Sequence, residues 1–189
     1  MNPFKKFNTW FDLAKEKYES DPTAFALATT DGLKPFVRMV LLKKILSDGF
    51  VFFTNIESNK GKQFNKNKNL SMCFYWESLK KQIRISGEGN IISEKESDDY
   101  FSSRPRSSQI GAWASKQSSE IRNRKVLMDN FRKIGIKFKK KNVPRPKFWV
   151  GIKIKPIEFE FWQGGEFRLH KRELYYFKKK SWERKILSP

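Results

Sequence analysis

Short apolar runs separated by tight turns constrain the fold of this 189-residue chain more than any other feature. Residues 24–30 and 35–44 form two such runs, and Asp31-Gly32 between them is a typical turn dipeptide. A second turn, Ser47-Asp48-Gly49, leads into the apolar run 50–54. Connections this short favour antiparallel pairing, because a parallel crossover needs about a dozen residues or more. This part of the chain therefore predicts an antiparallel meander.

Later segments carry the same strand signals. Residues 70–76, 82–92 and 182–187 are predicted strands, and Glu158-Phe159-Glu160-Phe161 alternates between charged and apolar residues. Gly164-Gly165 predicts a hairpin turn after that segment. The chain is therefore rich in strands at both ends of the sequence.

Helices are predicted between and before these strands. Apolar residues at spacings of three and four indicate one helix at the N-terminus and another beyond the middle of the chain. Their stripes are Phe4, Phe7, Phe11, Ala14 and Tyr18, and Leu127, Phe131, Ile134 and Phe138. Ser58 can cap a short helix reaching about residue 67. Ser93 and Glu96 have the spacing of a capping box, and the helix they begin should end near Pro105.

The order of these elements predicts a mostly β fold with peripheral helices, either a closed or a split antiparallel β-barrel. No internal repeat or low-complexity linker divides the sequence. Residues 1–189 are therefore predicted to form a single domain. Residues 1–20 supply its N-terminal helix, and residues 147–189 supply C-terminal strands of the same domain.

Charge and cysteine content narrow the functional classes. The net charge of +20 attracts nucleic acids, membrane surfaces and phosphorylated metabolites alike, and a solvated surface would also account for it. Cys73 is the only cysteine and His170 the only histidine, so an intramolecular disulfide is excluded and a zinc site is not expected. No apolar run approaches the roughly 20 residues of a membrane span, and a cytoplasmic location is expected.

Phosphate binding, if it occurs, must depend on side chains, because neither the P-loop nor the dinucleotide-binding glycine pattern is present. Arg38 and Lys43 flank an apolar stretch on one predicted strand. Residues five apart on a strand point to opposite faces, so they are not expected to share one phosphate. The alternative is that both are charges at a strand edge.

Two further groups of residues could bind anions. Tyr100 and Arg104 share a helix face, and with Ser108 they could clamp a phosphomonoester. Alternatively, they belong to a surface helix with salt bridges. Arg168, His170 and Arg172 are every second residue of a predicted strand, so they are expected to share one face. Burial of that face would require an anionic partner. An exposed edge strand protected by its charges is the alternative there.

Taken in order, several segments resemble the pyridoxamine 5′-phosphate oxidase family, from about Asp21 to the C-terminus. These segments are Arg38-Met39-Val40-Leu41-Leu42-Lys43, Phe53-Thr54-Asn55, Ser103-Arg104-Pro105-Arg106-Ser107-Ser108-Gln109-Ile110-Gly111-Ala112-Trp113, Ser115-Lys116-Gln117-Ser118-Ser119, Phe161-Trp162-Gln163-Gly164-Gly165 and Arg168-Leu169-His170. The long Ser-Arg-Pro and Trp-Gln-Gly-Gly blocks are the most specific. The resemblance favours the ligand-binding interpretation at all three groups above.

The resemblance implies a homodimeric split barrel that binds flavin mononucleotide (FMN) at the subunit interface. Residues matching family positions that contact FMN are Arg38, Met39, Val40, Leu41, Leu42, Lys43, Phe53, Thr54, Lys60, Gln82, Gln117, Ser118, Trp162 and Arg172. Residues matching substrate contacts are Lys43, Tyr100, Arg104 and Ser108 at the phosphate, and Arg168 and His170 at the pyridine ring. Arg168 and His170 are also the candidate catalytic residues.

The implied reaction is the oxidation of pyridoxamine or pyridoxine 5′-phosphate to pyridoxal 5′-phosphate, with oxygen as acceptor and hydrogen peroxide as product. The partners implied are a second copy of the chain and a small phosphorylated pyridine, with neither nucleic acid nor membrane. The sequence departs from the family at Asn59, where many members have an arginine, and at the tail Ile186-Leu187-Ser188-Pro189. The N-terminal segment that helps to cover the substrate in longer members is also not matched.

Two other functions remain open at this stage. The nearer alternative is another FMN split-barrel oxidoreductase, such as a phenazine-biosynthesis enzyme, although a phosphate clamp argues against a substrate without phosphate. The remote alternative is a nucleic-acid-binding protein, suggested by the charge and the abundant aromatic residues. Base stacking would require exposed aromatic residues, whereas most of those here follow core patterns.

Overall fold

The computed structural model describes residues 2–189, and within this range nine strands form one sheet surrounded by five α-helices. The strands are β1 (Ala24–Thr30), β2 (Pro35–Leu41), β3 (Lys44–Leu46), β4 (Gly49–Asn55), β5 (Asn69–Trp76), β6 (Lys81–Ile91), β7 (Trp149–Gln163), β8 (Lys171–Lys178) and β9 (Ser181–Leu187). The helices are α1 (Pro3–Lys17), α2 (Asn59–Lys66), α3 (Glu94–Ser103), α4 (Arg106–Ala114) and α5 (Arg124–Lys137). The predicted mostly β, antiparallel split barrel with peripheral helices is confirmed.

The long strand β7 organises the sheet. The strand order is β2-β1-β5-β6-β7-β4-β3, and β8 and β9 extend from β7 as a terminal hairpin. The first half of β7 pairs with β4 and its second half with β8, while β6 pairs with both halves. The β6–β7 register shifts at Ser86/Gly87, where a Cβ on Gly87 would lie 2.2 Å from the Lys155 carbonyl oxygen. Glycine therefore permits the close approach of the two strands at this bulge.

Helix α1 covers one face of the sheet. Its Phe7, Phe11 and Ala14 are buried, and the Phe7 ring centroid lies 4.6 Å from that of Phe50 on β4. This face holds the main core, because residues of β4, β5 and β7, among them Phe50, Phe74 and Phe161, pack against the rings of α1. Core residues from the strands include Phe25, Leu27, Phe50, Phe52, Phe74, Trp76, Ile83, Ile85, Phe159 and Phe161.

A second, smaller core joins the remaining helices to the sheet. Phe101 of α3, Ile110 of α4 and Phe138 after α5 pack with Val143 and Trp149. Because Trp149 begins β7, this core fixes α3 and α4 next to the ends of β4 and β7. Helix α3, which carries Tyr100 and has Arg104 as its C-cap, is held there.

Most predicted elements are confirmed. Strand β1 has the predicted bounds, Ser58 caps α2, and Ser93 and Glu96 form the predicted capping box. Helix α1 ends at Lys17, three residues before its predicted limit. Helix α4 had not been predicted, although Pro105 at its N-cap is compatible with a helix start, where a missing N–H costs little.

Two strand predictions were wrong. The run 35–44 is not one strand, because β2 ends at Leu41 and the Leu42 side chain turns into the core. The Lys43 N–H then donates to the Val51 oxygen, and β3 begins at Lys44. The segment around Arg168 is not a strand either: it is a 3-10 turn, Glu166–Arg168, in which Arg168 has φ 64°. Arg168 and His170 therefore precede the strand that carries Arg172 instead of alternating with it.

Within residues 2–189, none of the helices has both the length and the apolar character that a bilayer span requires. In the same range no three or more His, Cys, Asp and Glu side chains are grouped so that they could hold a metal ion.

Candidate functional site

A cleft of about 780 Å³ lies between β2, β4, the start of α2, α3 and the segment after α4. Many of the residues singled out in the sequence line it, although they come from five separate parts of the chain. Those residues are Arg38, Met39, Val40, Leu41, Lys43, Phe53, Thr54, Lys60, Tyr100, Arg104, Gln117 and Ser118. Arg38 and Lys43 both face this cleft, contrary to the expectation of opposite faces, because the strand ends between them.

Arg38 is held by a hydrogen-bond network on the floor of the cleft. Its Nη1 donates to Thr29 Oγ1 at 2.6 Å, and its Nη2 donates to Gln63 Oε1 at 2.8 Å. The buried Thr29 hydroxyl also donates to Gln63 Oε1, at 2.6 Å, so the three groups fix one another. Burial lowers the pKa of Arg38. Thr29 and Gln63 were not identified from the sequence. The one available signal was the spacing of three residues between Lys60 and Gln63, which places these two on one face of a helix.

Lys60 lies at the N-terminus of α2, with Arg38 close by. Its Nζ donates to Ser58 Oγ at a long 3.3 Å. Burial lowers the pKa of Lys60, and the positive charge of Arg38 lowers it further. Two cations near a helix N-terminus form a site that favours an anion. Asn59 lines the same part of the cleft.

Arg104 lies on a surface of aromatic rings at another side of the cleft. Phe53 and Tyr100 stack with centroids 4.1 Å apart, and Phe53 and Trp149 stack at 4.9 Å. The Arg104 guanidinium lies 4.9 Å from the Trp149 ring centroid. Burial lowers the pKa of Arg104, and within residues 2–189 its buried Nη1 has no hydrogen-bond partner. A buried guanidinium N–H without an acceptor is costly, so this atom marks a position for an anionic ligand.

The remaining candidates do not line this cleft. Leu42 is buried in the main core, and Ser108 is the third residue of α4. Gln82, Trp162 and Arg172 are register partners across β6, β7 and β8, so they form a row on one face of the sheet. The turn that carries the exposed Arg168 follows β7 directly.

His170 lies beside this row. Its ring centroid is 4.7 Å from that of Trp162, and the Gly165 N–H donates to its Nδ1 at 3.2 Å. This bond leaves Nε2 as the other ring nitrogen available for a contact. The sequence-predicted site is thus divided into a cleft group and a second group, which consists of Gln82, Trp162, Arg168, His170 and Arg172.

Glu160 anchors the second group and was not identified from the sequence, where it appeared only as a polar residue of an alternating strand. Its carboxylate is 4% exposed and accepts from Arg172 Nε at 2.8 Å and from Arg84 Nη2 at 3.0 Å. The bond to Glu160 raises the pKa of Arg172. Arg172 Nη1 donates to the Ser188 carbonyl oxygen at 2.9 Å, so the C-terminal tail also fixes this side chain.

The curled antiparallel sheet and its cation-lined cleft define a split-barrel protein that is equipped to bind anionic ligands through side chains. Comparison with known proteins gives the family. Residues 13–138 match the family model described as pyridoxamine 5′-phosphate oxidase, and residues 149–189 match the pyridoxine 5′-phosphate oxidase C-terminal dimerisation region. The chain therefore belongs to the pyridoxamine 5′-phosphate oxidase family, and it carries the dimerisation region of that family.

Relatives of known name cover the whole chain. The pyridoxine/pyridoxamine 5′-phosphate oxidase of Zymomonas mobilis is 44% identical over 190 residues, which cover 100% of this chain and 99% of the relative. The enzyme of the same name from Shewanella denitrificans is 48% identical, with 100% and 89% covered. The crystal structure of PhzG from Burkholderia lata, in complex with tetrahydrophenazine-1-carboxylic acid, has a TM-score of 0.94, 29% identity, and coverage of 100% and 93%.

Proposed function

We propose that this protein is an FMN-dependent oxidase that converts pyridoxamine 5′-phosphate and pyridoxine 5′-phosphate to pyridoxal 5′-phosphate. Oxygen accepts the electrons, and hydrogen peroxide is formed. The observation that carries the proposal is the buried, unpartnered Nη1 of Arg104, which lines the same cleft as the Arg38–Lys60 pair. One cleft thus offers two cationic positions, and the reaction requires two phosphorylated molecules, the cofactor and the substrate.

The Arg38–Lys60 position fits the phosphate of FMN. Among residues 2–189 Lys60 forms no salt bridge, and the α2 N-terminus adds a favourable dipole. Thr54 and the pair Gln117 and Ser118 line the same cleft and supply hydrogen-bonding groups. FMN, when bound, accepts the hydride that the substrate loses. The protein supplies the phosphate anchor and holds the ring system.

The Arg104 position fits the phosphate of the substrate. Arg104 can donate two parallel hydrogen bonds to phosphate oxygens, and the Tyr100 hydroxyl and Lys43 line the same cleft. Ser108 lies one helical turn beyond Pro105 and is proposed as a further contact. Anchoring the phosphate orients the reacting carbon, which raises the rate by lowering the entropy cost of reaching the reactive geometry.

A homodimer explains why the second group lies outside the cleft of its own chain. We propose that Gln82, Trp162 and Arg172 of one protomer complete the FMN site of the other, while Arg168 and His170 orient the pyridine ring. Residues 149–189, which match the dimerisation region, contain most of this group. Strand β2 next to the cleft also exposes apolar side chains that a partner would cover, with Val37 70% and Met39 63% exposed.

The nearest competing function is oxidation of a phenazine precursor, and the likeness to PhzG favours it. FMN would fill the Arg38–Lys60 position with either substrate, and a phenazine carboxylic acid has no phosphate ester for the Arg104 position. The relatives from Zymomonas mobilis and Shewanella denitrificans, 44% and 48% identical, are named for the phosphorylated vitamers. We further propose that the protein has no nucleic-acid partner, because the recognisable site is a cleft of small-molecule size. A cytoplasmic location is proposed on the separate ground that the sequence has a single cysteine.

The direct test is turnover by the purified protein after loading with FMN. We expect hydrogen peroxide and pyridoxal 5′-phosphate to form in equal amounts from either phosphorylated substrate, and little reaction with pyridoxine or pyridoxamine themselves. FMN-loaded protein that oxidises neither phosphorylated vitamer but oxidises a dihydrophenazine carboxylate would contradict the proposal and support the competing function.

A further inference from the structure

We infer that Gln109 is a positioning residue for the substrate-phosphate site, acting through Arg104. This inference rests on the proposed function, because it assigns Arg104 to the substrate phosphate. Gln109 lies on α4, is 8% exposed and does not line the cleft. Any influence on the substrate must therefore pass through a neighbouring residue.

The Gln109 side chain ties together the corner between α3 and α4. Its Nε2 lies 3.2 Å from the Phe101 oxygen, 3.0 Å from the Ser102 oxygen and 2.9 Å from the Arg104 oxygen, so its two N–H groups serve three acceptors, and one of them is shared. These carbonyls belong to the last turn of α3 and its C-cap. One amide thus contacts three carbonyl oxygens on the chain segment that carries Arg104.

Pro105 reduces the number of backbone donors that can close this corner. The carbonyls of the last helical turn have no partner within the helix, and proline lacks the N–H that would otherwise bond the Phe101 oxygen four residues back. The next helix compensates: the Gln109 backbone N–H donates to the Pro105 oxygen at 3.1 Å while its side chain returns to α3. The Phe101 oxygen also accepts from the Arg104 N–H at 3.2 Å, so the contribution of the buried Gln109 amide falls chiefly on the Ser102 and Arg104 oxygens.

The position of the Arg104 guanidinium depends on this corner. The guanidinium is packed over the rings of Phe101 and Trp149, at 5.5 and 4.9 Å, so it follows any movement of the backbone that carries it. Its Nη1 is buried without a protein acceptor among the described residues, and no protein bond holds that end in place. Because bidentate binding of phosphate is strict in geometry, a small shift of the corner weakens phosphate binding.

The test is Gln109→Met in the FMN-loaded protein, a change that keeps the side-chain length and removes the amide. We expect the KM for pyridoxine 5′-phosphate to rise on the order of tenfold, with kcat changed by less than about twofold. The dissociation constant of pyridoxal 5′-phosphate, measured by calorimetry, should rise by the same factor. Ser107→Ala, an exposed change on the same helix, is the matched control and should alter neither quantity.

A double mutant distinguishes positioning from general destabilisation. In an Arg104→Ala background, Gln109→Met should add less than about twofold to either constant, because the group it positions is absent. An equal effect with and without Arg104, or a fall in kcat at unchanged KM, would overturn the inference. If Gln109→Met does not fold, Gln109→Asn, which keeps a shorter amide, should give a smaller rise of the same kind.

The outcomes also separate this inference from the proposed function. Wild-type protein that binds pyridoxal 5′-phosphate without oxidising either vitamer would refute the oxidase, while the calorimetric comparison would still test Gln109. Wild-type protein that binds no pyridoxal 5′-phosphate would overturn both.

Discussion

Replacing Lys60 with methionine should have opposite effects on the stability of the protein and on its affinity for FMN. Lys60 is partly buried, and its Nζ makes one long bond to Ser58 Oγ, 3.3 Å. Burial and the nearby charge of Arg38 lower its pKa, which means that the charged form is less favourable here than in water. Methionine keeps the length of the side chain and removes the charge. The protein without FMN should therefore gain stability, or lose none.

The cofactor should respond in the opposite direction. A hydrogen bond to a charged group contributes about 1.5–3 kcal/mol, so losing one phosphate contact should weaken FMN binding by about 10- to 150-fold. The matched control is Lys62→Met, which removes the same charge from an exposed position on the same helix. Both variants lose the same long-range attraction for the phosphate, so the difference between their FMN affinities measures the direct contact of Lys60.

Thermal unfolding of the FMN-free protein and fluorescence titration with FMN measure the two effects. Lys60→Met should unfold at the same or a higher temperature than wild type while binding FMN much more weakly than Lys62→Met does. A lower unfolding temperature together with unchanged FMN affinity would refute the assignment and make Lys60 a structural residue.

The pH dependence of stability and of FMN affinity follows from the lowered pKa of Lys60. Because the folded protein lowers the pKa of Lys60 below 10.5, the unfolded chain binds more protons in the interval between the folded pKa and 10.5. In that interval the contribution of Lys60 to stability without FMN therefore becomes more favourable as pH rises. A bound phosphate should raise the pKa of Lys60 again, so FMN binding takes up a proton. FMN affinity should therefore fall as pH rises through the same interval. Lys60→Met should lack this part of the pH dependence.

Two further predictions concern a backbone contact and the proposed composite site. Gly61→Ala should lower the free energy of unfolding, measured by urea denaturation, by about 1–3 kcal/mol, because its Cβ would lie 2.1 Å from the Ile56 oxygen. The control Gly135→Ala on α5 meets no atom within 4 Å and should raise the free energy of unfolding by about 0.5–1 kcal/mol. Equal effects of the two changes would argue against the contact. Arg168→Ala should keep FMN bound and lower turnover about 10- to 100-fold. The Arg168→Ala and Arg104→Ala variants should then be unfolded and refolded together in equal amounts. About half of the dimers will be mixed, and one of the two sites in each will have both arginines, so about a quarter of the wild-type activity should return. No recovery would contradict a site shared between protomers.

The sequence predicted the strands well where one face is buried in the main core. In β1 the alternation of Phe25 and Leu27 with small residues reflects burial on one side, and its bounds were predicted correctly. The pattern failed at Leu42, because an apolar residue satisfies the alternation whether the strand continues or the chain turns into the core. It also failed at Arg168, because positive φ at two non-glycine residues, Phe167 and Arg168, has no sequence signature in a segment of mixed polar and apolar residues.

The site was predictable as residue types more than as geometry. The family resemblance supplied Arg38, Lys60 and Arg104, and the structure brings these three to one cleft. It supplied neither Gln109 nor Glu160 as functional positions, because both act on other protein groups: one binds backbone carbonyls and the other binds two arginines. Such roles depend on distances between elements that no local pattern records.

Hydrogen-bond satisfaction distinguishes Arg104 from arginines that the protein itself binds, including Arg172, although Arg172 is also a proposed FMN contact. A net charge of +20 by itself identifies no site, because most of the charge can be solvated. Arg172 is neutralised by Glu160, and Arg145 donates to Asp98 and to the Trp149 oxygen. Arg104 is different, since its buried Nη1 finds no acceptor in the described chain. Satisfied arginines stabilise the fold in the absence of any ligand, whereas a buried and unsatisfied one lowers stability until an anion binds. A phosphate ligand should therefore stabilise this protein chiefly through Arg104 and Lys60, and added salt should weaken that effect less than it weakens attraction to the exposed lysines, because burial reduces screening.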